Sequence, residues 1–198
     1  TKNLNIISAP SLRYKYLHQI ERSNSKTSEF TILVALPIFK DQAENILSIL
    51  AESKASLEKI DNIRVNIKVH PTQSSEIYQS LYDVESKNCK FVDGDFLEWV
   101  KAADLLVSAA STTCMEALAI GVPVAIIGAK NQILQNPIPK SIHHDYWRIC
   151  YSSSELIGFV SAVYEIDKDN LTIESEKIRD SYFMLPTNKN IQKLINFQ

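Results

Sequence analysis

One stretch, from Leu105 to Gly128, does most to limit what this chain can fold into. It opens with the short apolar run Leu105-Leu106-Val107, the pattern of a buried strand. Small and hydroxyl residues follow, and then a short helix is expected from about Thr112 to Ile120. Gly121 stops that helix in the position a C′ glycine prefers. Pro123 starts a second apolar run, where a strand tolerates proline. Strand, turn, helix and strand make one parallel βαβ unit. Ser111 is placed to cap the helix, leaving the N–H groups near Thr112 and Thr113 free to meet an anion. A helix N-terminus at the carboxyl end of a parallel strand favours phosphate. Glu116, one turn further in, is within reach of the hydroxyls of a sugar on that phosphate. The same pattern also describes a capped core helix with an ordinary surface glutamate.

The remainder of the chain repeats the alternation. Pro10 is able to open a helix to about Arg22, and Ser23 to Ser28 is polar and turn-forming. Strands are expected at Thr31 to Leu36, Arg64 to Val69, Cys89 to Val92 and Trp147 to Tyr151. Helices are expected at Asp41 to Leu57, Ser74 to Val84, Phe96 to Ala103 and Ser152 to Ile166, with a helical tail from Ile173 broken near Leu185-Pro186. Strands alternating with helices predict an α/β fold: a doubly wound, Rossmann-like parallel sheet of about six strands with helices on both faces. Near-continuous apolar strands such as Pro123 to Ile127 agree with burial on both sides. The long connection from Ala129 to Tyr146 carries Pro137, Pro139, His143 and His144, and connections of that length are often functional.

Composition narrows the function classes. With 198 residues the chain can bury one sizeable core or two very small ones. A hydrophobic content of 45% and a charged content of 22% describe a globular protein. A net charge of −2 gives no electrostatic case for nucleic acid. Three cysteines without a CxxC pair argue against a disulfide framework or a zinc site, and a reducing, cytoplasmic home is the simple expectation. No apolar run approaches the ~20 residues of a membrane span. The chain starts at Thr1 with no leader-like stretch, which reads as a piece of a longer protein.

Ligands of an open parallel sheet bind outside the carboxyl ends of its strands. Four features should meet at that edge: Leu36-Pro37, His70-Pro71, Val92-Asp93-Gly94 and the Ser111-Thr112-Thr113 helix start. The three-glycine dinucleotide fingerprint and the Walker-type loop are both absent, and the chain has only four glycines. Phosphate binding must then rest on the helix N-terminus, hydroxyls and His70. A histidine at a strand end is more often structural than functional; His70 gains weight from its position beside the expected anion site. No cofactor is expected, and nothing has metal-ligand spacing.

From Phe91-Val92-Asp93-Gly94-Asp95 through Glu116-Ala117 to Gly121-Val122-Pro123-Val124, the sequence resembles the donor-nucleotide half of GT-B glycosyltransferases. The shared pattern is a turn, a helix ending in Ala-Asp, a strand, small or hydroxyl residues, and then Glu-Ala-x-x-x-Gly-x-Pro-Val. Ala9 to Leu17 looks like the segment leading into this half, and the tail after Ile173 like its closing helices. The resemblance implies that Glu116 holds the ribose hydroxyls and that Ser111, Thr112 and Thr113 bind phosphate. It implies that the backbone of Val92, Asp93 and Gly94 meets the base. His70-Pro71 beside a Ser/Thr cluster is similar to bacterial sialyltransferases and capsule Kdo transferases, and to teichoic acid polymerases that use CDP-glycerol. These relatives share cytidine-activated donors, so a CMP-sugar is the expected donor and surface-polysaccharide synthesis the expected setting. His70 would then act catalytically, donating to the phosphate and stabilising charge on departing CMP.

The chain also departs from that pattern. A glycine-rich loop common in many relatives is missing, and Leu36-Pro37-Ile38-Phe39 is followed by only Lys40 as a phosphate contact. Asp93 and Asp95 have the Asp-x-Asp spacing that holds a metal in another glycosyltransferase fold, but a metal-independent reaction is expected here. The expected organisation is one domain over 1–198: a lead-in segment and linker (1–28), a Rossmann-like core (29–166) and closing helices (167–198). A GT-B enzyme needs two such halves. The acceptor-binding, N-terminal half and the catalytic base are therefore expected outside this chain, which alone should bind nucleotide weakly and transfer nothing. Peripheral association of the full protein with a membrane stays open. Two rivals stay open as well: a UDP-GlcNAc 2-epimerase-like domain, whose phosphate turn is typically Ser-Gly-Gly, and a non-catalytic α/β nucleotide-binding or assembly module.

Overall fold

Six parallel strands form one sheet in the order β3-β2-β1-β4-β5-β6. The strands are β1 (Phe30–Ala35), β2 (Ile63–Lys68), β3 (Cys89–Val92), β4 (Leu105–Ser108), β5 (Val124–Ile127) and β6 (Trp147–Cys150). This computed structural model describes residues 9–20, 29–129 and 133–195. Between the strands run α1 (Lys40–Leu57), α2 (Ser75–Gln79), α3 (Phe96–Lys101) and α4 (Thr112–Ala119). After β6 come α5 (Ser153–Tyr164), α6 (Lys168–Tyr182) and α7 (Asn188–Ile195). The doubly wound α/β fold expected from the sequence is the fold observed.

Alternation along each strand explains the two layers. Ile32 and Val34 of β1 and Leu105 and Val107 of β4 face a core closed by α1 and α5, with Ile46, Leu47 and Phe159 fully buried. Leu33, Leu106, Val124 and Ile126 face the opposite core, closed by α4, Val100 of α3 and Ile178 of α6. Successive side chains point to opposite faces, so a strand buried on both sides must be apolar throughout.

Order reverses between β1 and β4, which pair up to Ala35 with Ser108 and then diverge; Ser108 Oγ donates to the Ala35 carbonyl at 3.0 Å. The chain leaves β1 for one side and β4 for the other, opening a crevice at the carboxyl edge.

Several element boundaries differ from those expected. The segment from Pro10 is a 3-10 helix over Leu12–His18, in which only Leu17 is buried. One buried residue supplies no apolar stripe, and tertiary contacts hold the segment instead: His18 Nε2 donates to the Phe183 carbonyl and the Tyr14 ring stands on Phe183. Arg22 and Ser23 to Ser28 lie outside the described residues. The helix expected over Ser74 to Val84 stops at Gln79, because Tyr78 and Val84 are both buried and six residues apart. That spacing puts them on different faces of a helix, so the chain bends to bury both. The tail helix begins at Lys168 rather than Ile173, since the Asp167 carboxylate caps it by accepting from the N–H of Asp169 at 2.8 Å and Asn170 at 3.3 Å. The break near Leu185-Pro186 falls between α6 and α7. Residues 133–146 of the long connection carry no helix or strand, and Ile138 and Ile142 anchor them in the core.

Candidate functional site

A cleft of about 700 Å³ opens at the carboxyl edge of the sheet, over the point where the strand order reverses. One wall is the loop after β4 with the start of α4. Helix α4 forms because Cys114, Met115, Ala117, Leu118 and Ala119 give it a buried face, and Gly121, at φ +78°, turns the chain out of it. Ser111, Thr112, Thr113 and Glu116 remain on the cleft side.

Ser111 occupies the N-cap position, but its side chain does not cap: Ser111 Oγ is hydrogen-bonded to Thr113 Oγ1. The expected side-chain cap is thus corrected. In its extended conformation, with φ −148° and ψ 164°, Ser111 turns its hydroxyl to a neighbouring hydroxyl and not to the helix amides. Its carbonyl accepts from Cys114 N–H at 3.1 Å. Two hydroxyls and the first amides of α4 face the same opening, a donor-rich surface suited to an anion. Cys114, one residue further in, is fully buried, and burial pushes its thiol up to about 11. It is a neutral packing group at pH 7.

Glu116 is half-buried, and its Oε2 accepts a hydrogen bond from the hydroxyl of Tyr16, 100 residues earlier. Burial, and then the bond to Glu116, hold the Tyr16 phenol well above its ordinary value. Tyr16 was not foreseen, and no local pattern could have found it. Arg13, from the same 3-10 helix, also lines the cleft.

The facing wall comes from the ends of β1 and β2. His70 and Pro71 lie at the cleft, as do Ile38, Phe39 and Lys68. Thr72 N–H donates to His70 Nδ1 at 3.3 Å, and Thr72 Oγ1 lies 2.8 Å from the same nitrogen. An accepting Nδ1 leaves the proton of the neutral imidazole on Nε2, so the ring has a donor to offer. Lys40, the contact expected after Phe39, instead pairs with Glu44 along α1 at 3.6 Å and does not line the cleft. Among the described residues, the basic groups at the cleft are Arg13, Lys68 and His70.

The Val92-Asp93-Gly94 turn reaches the cleft through Gly94 and Asp95; Val92 and Asp93 are not part of the lining. Gly94 has φ +102°, which favours glycine, and Trp99 Nε1 donates to the Asp93 carbonyl at 2.6 Å, pinning the turn. The Asp95 carboxylate caps α3, accepting from Leu97 N–H at 2.8 Å. His143 and His144 are exposed and lie away from the cleft. Other cleft residues the sequence did not single out include Arg13, Gln42, Asn45, Lys68, Leu134 and Gln135.

Comparison with known proteins follows the same outline. A family described as "Putative glycosyltransferase (DUF6716)" matches residues 18–130, a span that holds β1 to β5 together with His70 and Glu116. No curated protein matches the sequence. Among solved structures, the spinosyn rhamnosyltransferase SpnG is similar with a TM-score of 0.62 at 14% identity, over 87% of this chain and 46% of SpnG. A "putative UDP-N-acetylglucosamine 2-epimerase" from Listeria monocytogenes gives 0.59 at 11% identity, over 82% and 45%. The wall teichoic acid polymerase TagF, as a variant soaked with CDPG, gives 0.58 at 12% identity, over 91% and 49%. At these identities the likeness is one of fold. The chain spans about half the length of each of these neighbours.

Proposed function

This chain belongs to the family described as "Putative glycosyltransferase (DUF6716)", and from that premise we propose that it is the donor-nucleotide half of a GT-B glycosyltransferase. We take the donor to be a CMP-activated sugar of the sialic acid or Kdo kind. The acceptor half and the general base then lie elsewhere in a longer protein, and the whole of 1–198 works as one cytoplasmic donor domain. The observation that carries the reading is the meeting, in one cleft, of the α4 start, Glu116 and an imidazole whose Nδ1 is taken up by Thr72.

In this reading the phosphate rests on the N–H groups of Thr112 and Thr113 and the hydroxyls of Ser111 and Thr113. Glu116 accepts from the ribose hydroxyls. The base lies against the Val92-Asp93-Gly94 turn, with Gly94 the residue at the cleft. Transfer breaks the bond between the anomeric carbon and the phosphate oxygen as the acceptor hydroxyl attacks. Negative charge then grows on departing CMP, and His70 Nε2–H, next to Pro71, donates to it. The acceptor proton passes to the base on the other half. The donors at the cleft can balance that charge without a metal.

Support for a cytidine donor comes from His70-Pro71 and from the fold likeness to TagF, which was soaked with CDPG. The same likeness supports a role in bacterial surface-polymer synthesis. No helix among the described residues is long and apolar enough to cross a membrane. The likeness to the Listeria epimerase keeps one rival in play; against it stands Ser111-Thr112-Thr113, where those enzymes typically carry Ser-Gly-Gly.

Thermal shift with CMP, CDP, UDP, UMP and NAD tests the reading. CMP or CDP should raise the melting temperature most, with roughly 2.7 kcal/mol of added stability at ~100 Kd. A preference for UDP would sink the cytidine assignment and favour the epimerase-like reading. A chain unmoved by any nucleotide would be a non-catalytic module.

A further inference from the structure

Glu116 is better prepared than a surface glutamate needs to be. It is half-buried on α4, and among the described residues its one hydrogen-bond partner is the Tyr16 hydroxyl. A carboxylate has about four acceptor positions on two oxygens. The phenol takes one on Oε2, and Oε1 is left with none of these partners. Burial, and then the bond to the carboxylate itself, hold the phenol above its ordinary value, so Tyr16 is a donor at neutral pH.

The donor is itself firmly placed. Leu17, next to Tyr16, is buried at 1% exposure in the core under α4. On either side of it, Tyr14 packs edge-on against Phe183 with ring centroids 5.0 Å apart, and His18 donates to the Phe183 carbonyl. Helix α6, which precedes Phe183, reaches α4 as well: Arg179 Nη1 donates to the Ala119 carbonyl at 2.7 Å. The 3-10 helix and α6 thus form one bracket around α4. The bracket fixes the C-terminal end of the helix through Arg179 and the Glu116 side chain through Tyr16.

We propose that Tyr16 is a positioning residue for ribose recognition: it selects the Glu116 rotamer in which one carboxylate oxygen faces the nucleotide, and so sets how strongly the site prefers ribose over deoxyribose. This rests on the reading that Glu116 binds the ribose. An unheld glutamate would have to freeze its side chain when ligand arrives, and that cost would weaken binding. Holding it beforehand moves the cost into folding. Arg13, three residues before Tyr16, lines the same cleft, so the segment that fixes Glu116 also borders the ligand.

The test is titration calorimetry with CMP, 2′-deoxy-CMP and 3′-deoxy-CMP on the parent chain and on Tyr16→Phe, Glu116→Gln and the double variant. Tyr16→Phe keeps the ring and removes only the hydroxyl. It should weaken CMP about three- to tenfold, the scale of one hydrogen bond, while at least one deoxy analogue changes less. The ribose preference should therefore shrink, and in the Glu116→Gln background the same change should have little further effect on it. Equal weakening of all three ligands, with a lower melting temperature, would make Tyr16 merely structural and overturn the proposal. Loss of ribose preference in Glu116→Gln but not in Tyr16→Phe would overturn it while leaving the role of Glu116 intact. If neither variant changed the preference, the ribose reading itself would fall, and Tyr16 with it; a parent chain that bound no CMP would overturn both.

Discussion

The two walls of the cleft are built in different ways. On the α4 wall the binding candidates ride on a core element: five of its eight side chains are buried, Arg179 holds its last turn and Tyr16 holds Glu116. On the His70 wall the cleft residues lie on loops after β1 and β2, held by hydrogen bonds. Gln73 Nε2 donates to the Ile38 carbonyl at 2.8 Å, the Tyr78 hydroxyl donates to Gln73 Oε1 at 2.9 Å, and Ile38 and Phe39 are 50% and 66% exposed. The proposed phosphate and ribose contacts thus draw on the stability of the whole domain. His70 sits on the turn after β2, outside any helix. Such a split suits a donor site, where the nucleotide is gripped and the leaving-group contact adjusts.

Cavity formation breaks the comparison most sharply. Leu118 faces the core from α4 at 1% exposure, so Leu118→Ala should cost about 2–5 kcal/mol in urea denaturation. Phe39, on the His70 wall, is 66% exposed, and Phe39→Ala should stay within ~0.5 kcal/mol. Similar losses for the two variants would mean that the walls are not built differently at all.

A smaller effect sharpens the account of the helix start. A serine whose side chain caps a helix is worth ~1 kcal/mol. Ser111 Oγ bonds Thr113 Oγ1 and no helix amide, so Ser111→Ala should lose no more than ~0.5 kcal/mol of apo stability. A full unit of destabilisation in thermal or urea melts would show that the hydroxyl caps the helix in solution after all.

Sequence reached the α4 wall further than the other parts of the site, for a physical reason. Strand, small-residue turn, helix and Gly121 are a local pattern, and local patterns carry their own periodicity and stop signals. The same holds for the strands themselves, whose apolar runs state burial on both faces. Tyr16 was out of reach because its partner is 100 residues away and neither residue has a neighbour that announces the contact. The shortness of α2 was hidden because Val84 is apolar at a position a helix would accept, and only the bend needed to bury it beside Tyr78 reveals the break. The hydroxyl of Ser111 misled for a related reason. Residue type and position matched a cap, but a second hydroxyl two residues on offered the better partner.

The central claim is that a cytidine nucleotide seats its phosphate on the start of α4, within the cleft. A ¹H–¹⁵N amide titration of the chain with CMP tests it most directly, since each backbone N–H reports its own hydrogen bonding. The account predicts the largest shifts at Thr112 and Thr113, with further shifts at Glu116 and Gly94 and little change at the exposed turn around Asp145. Shifts that avoided Thr112 and Thr113, or that appeared only with UDP, would contradict it.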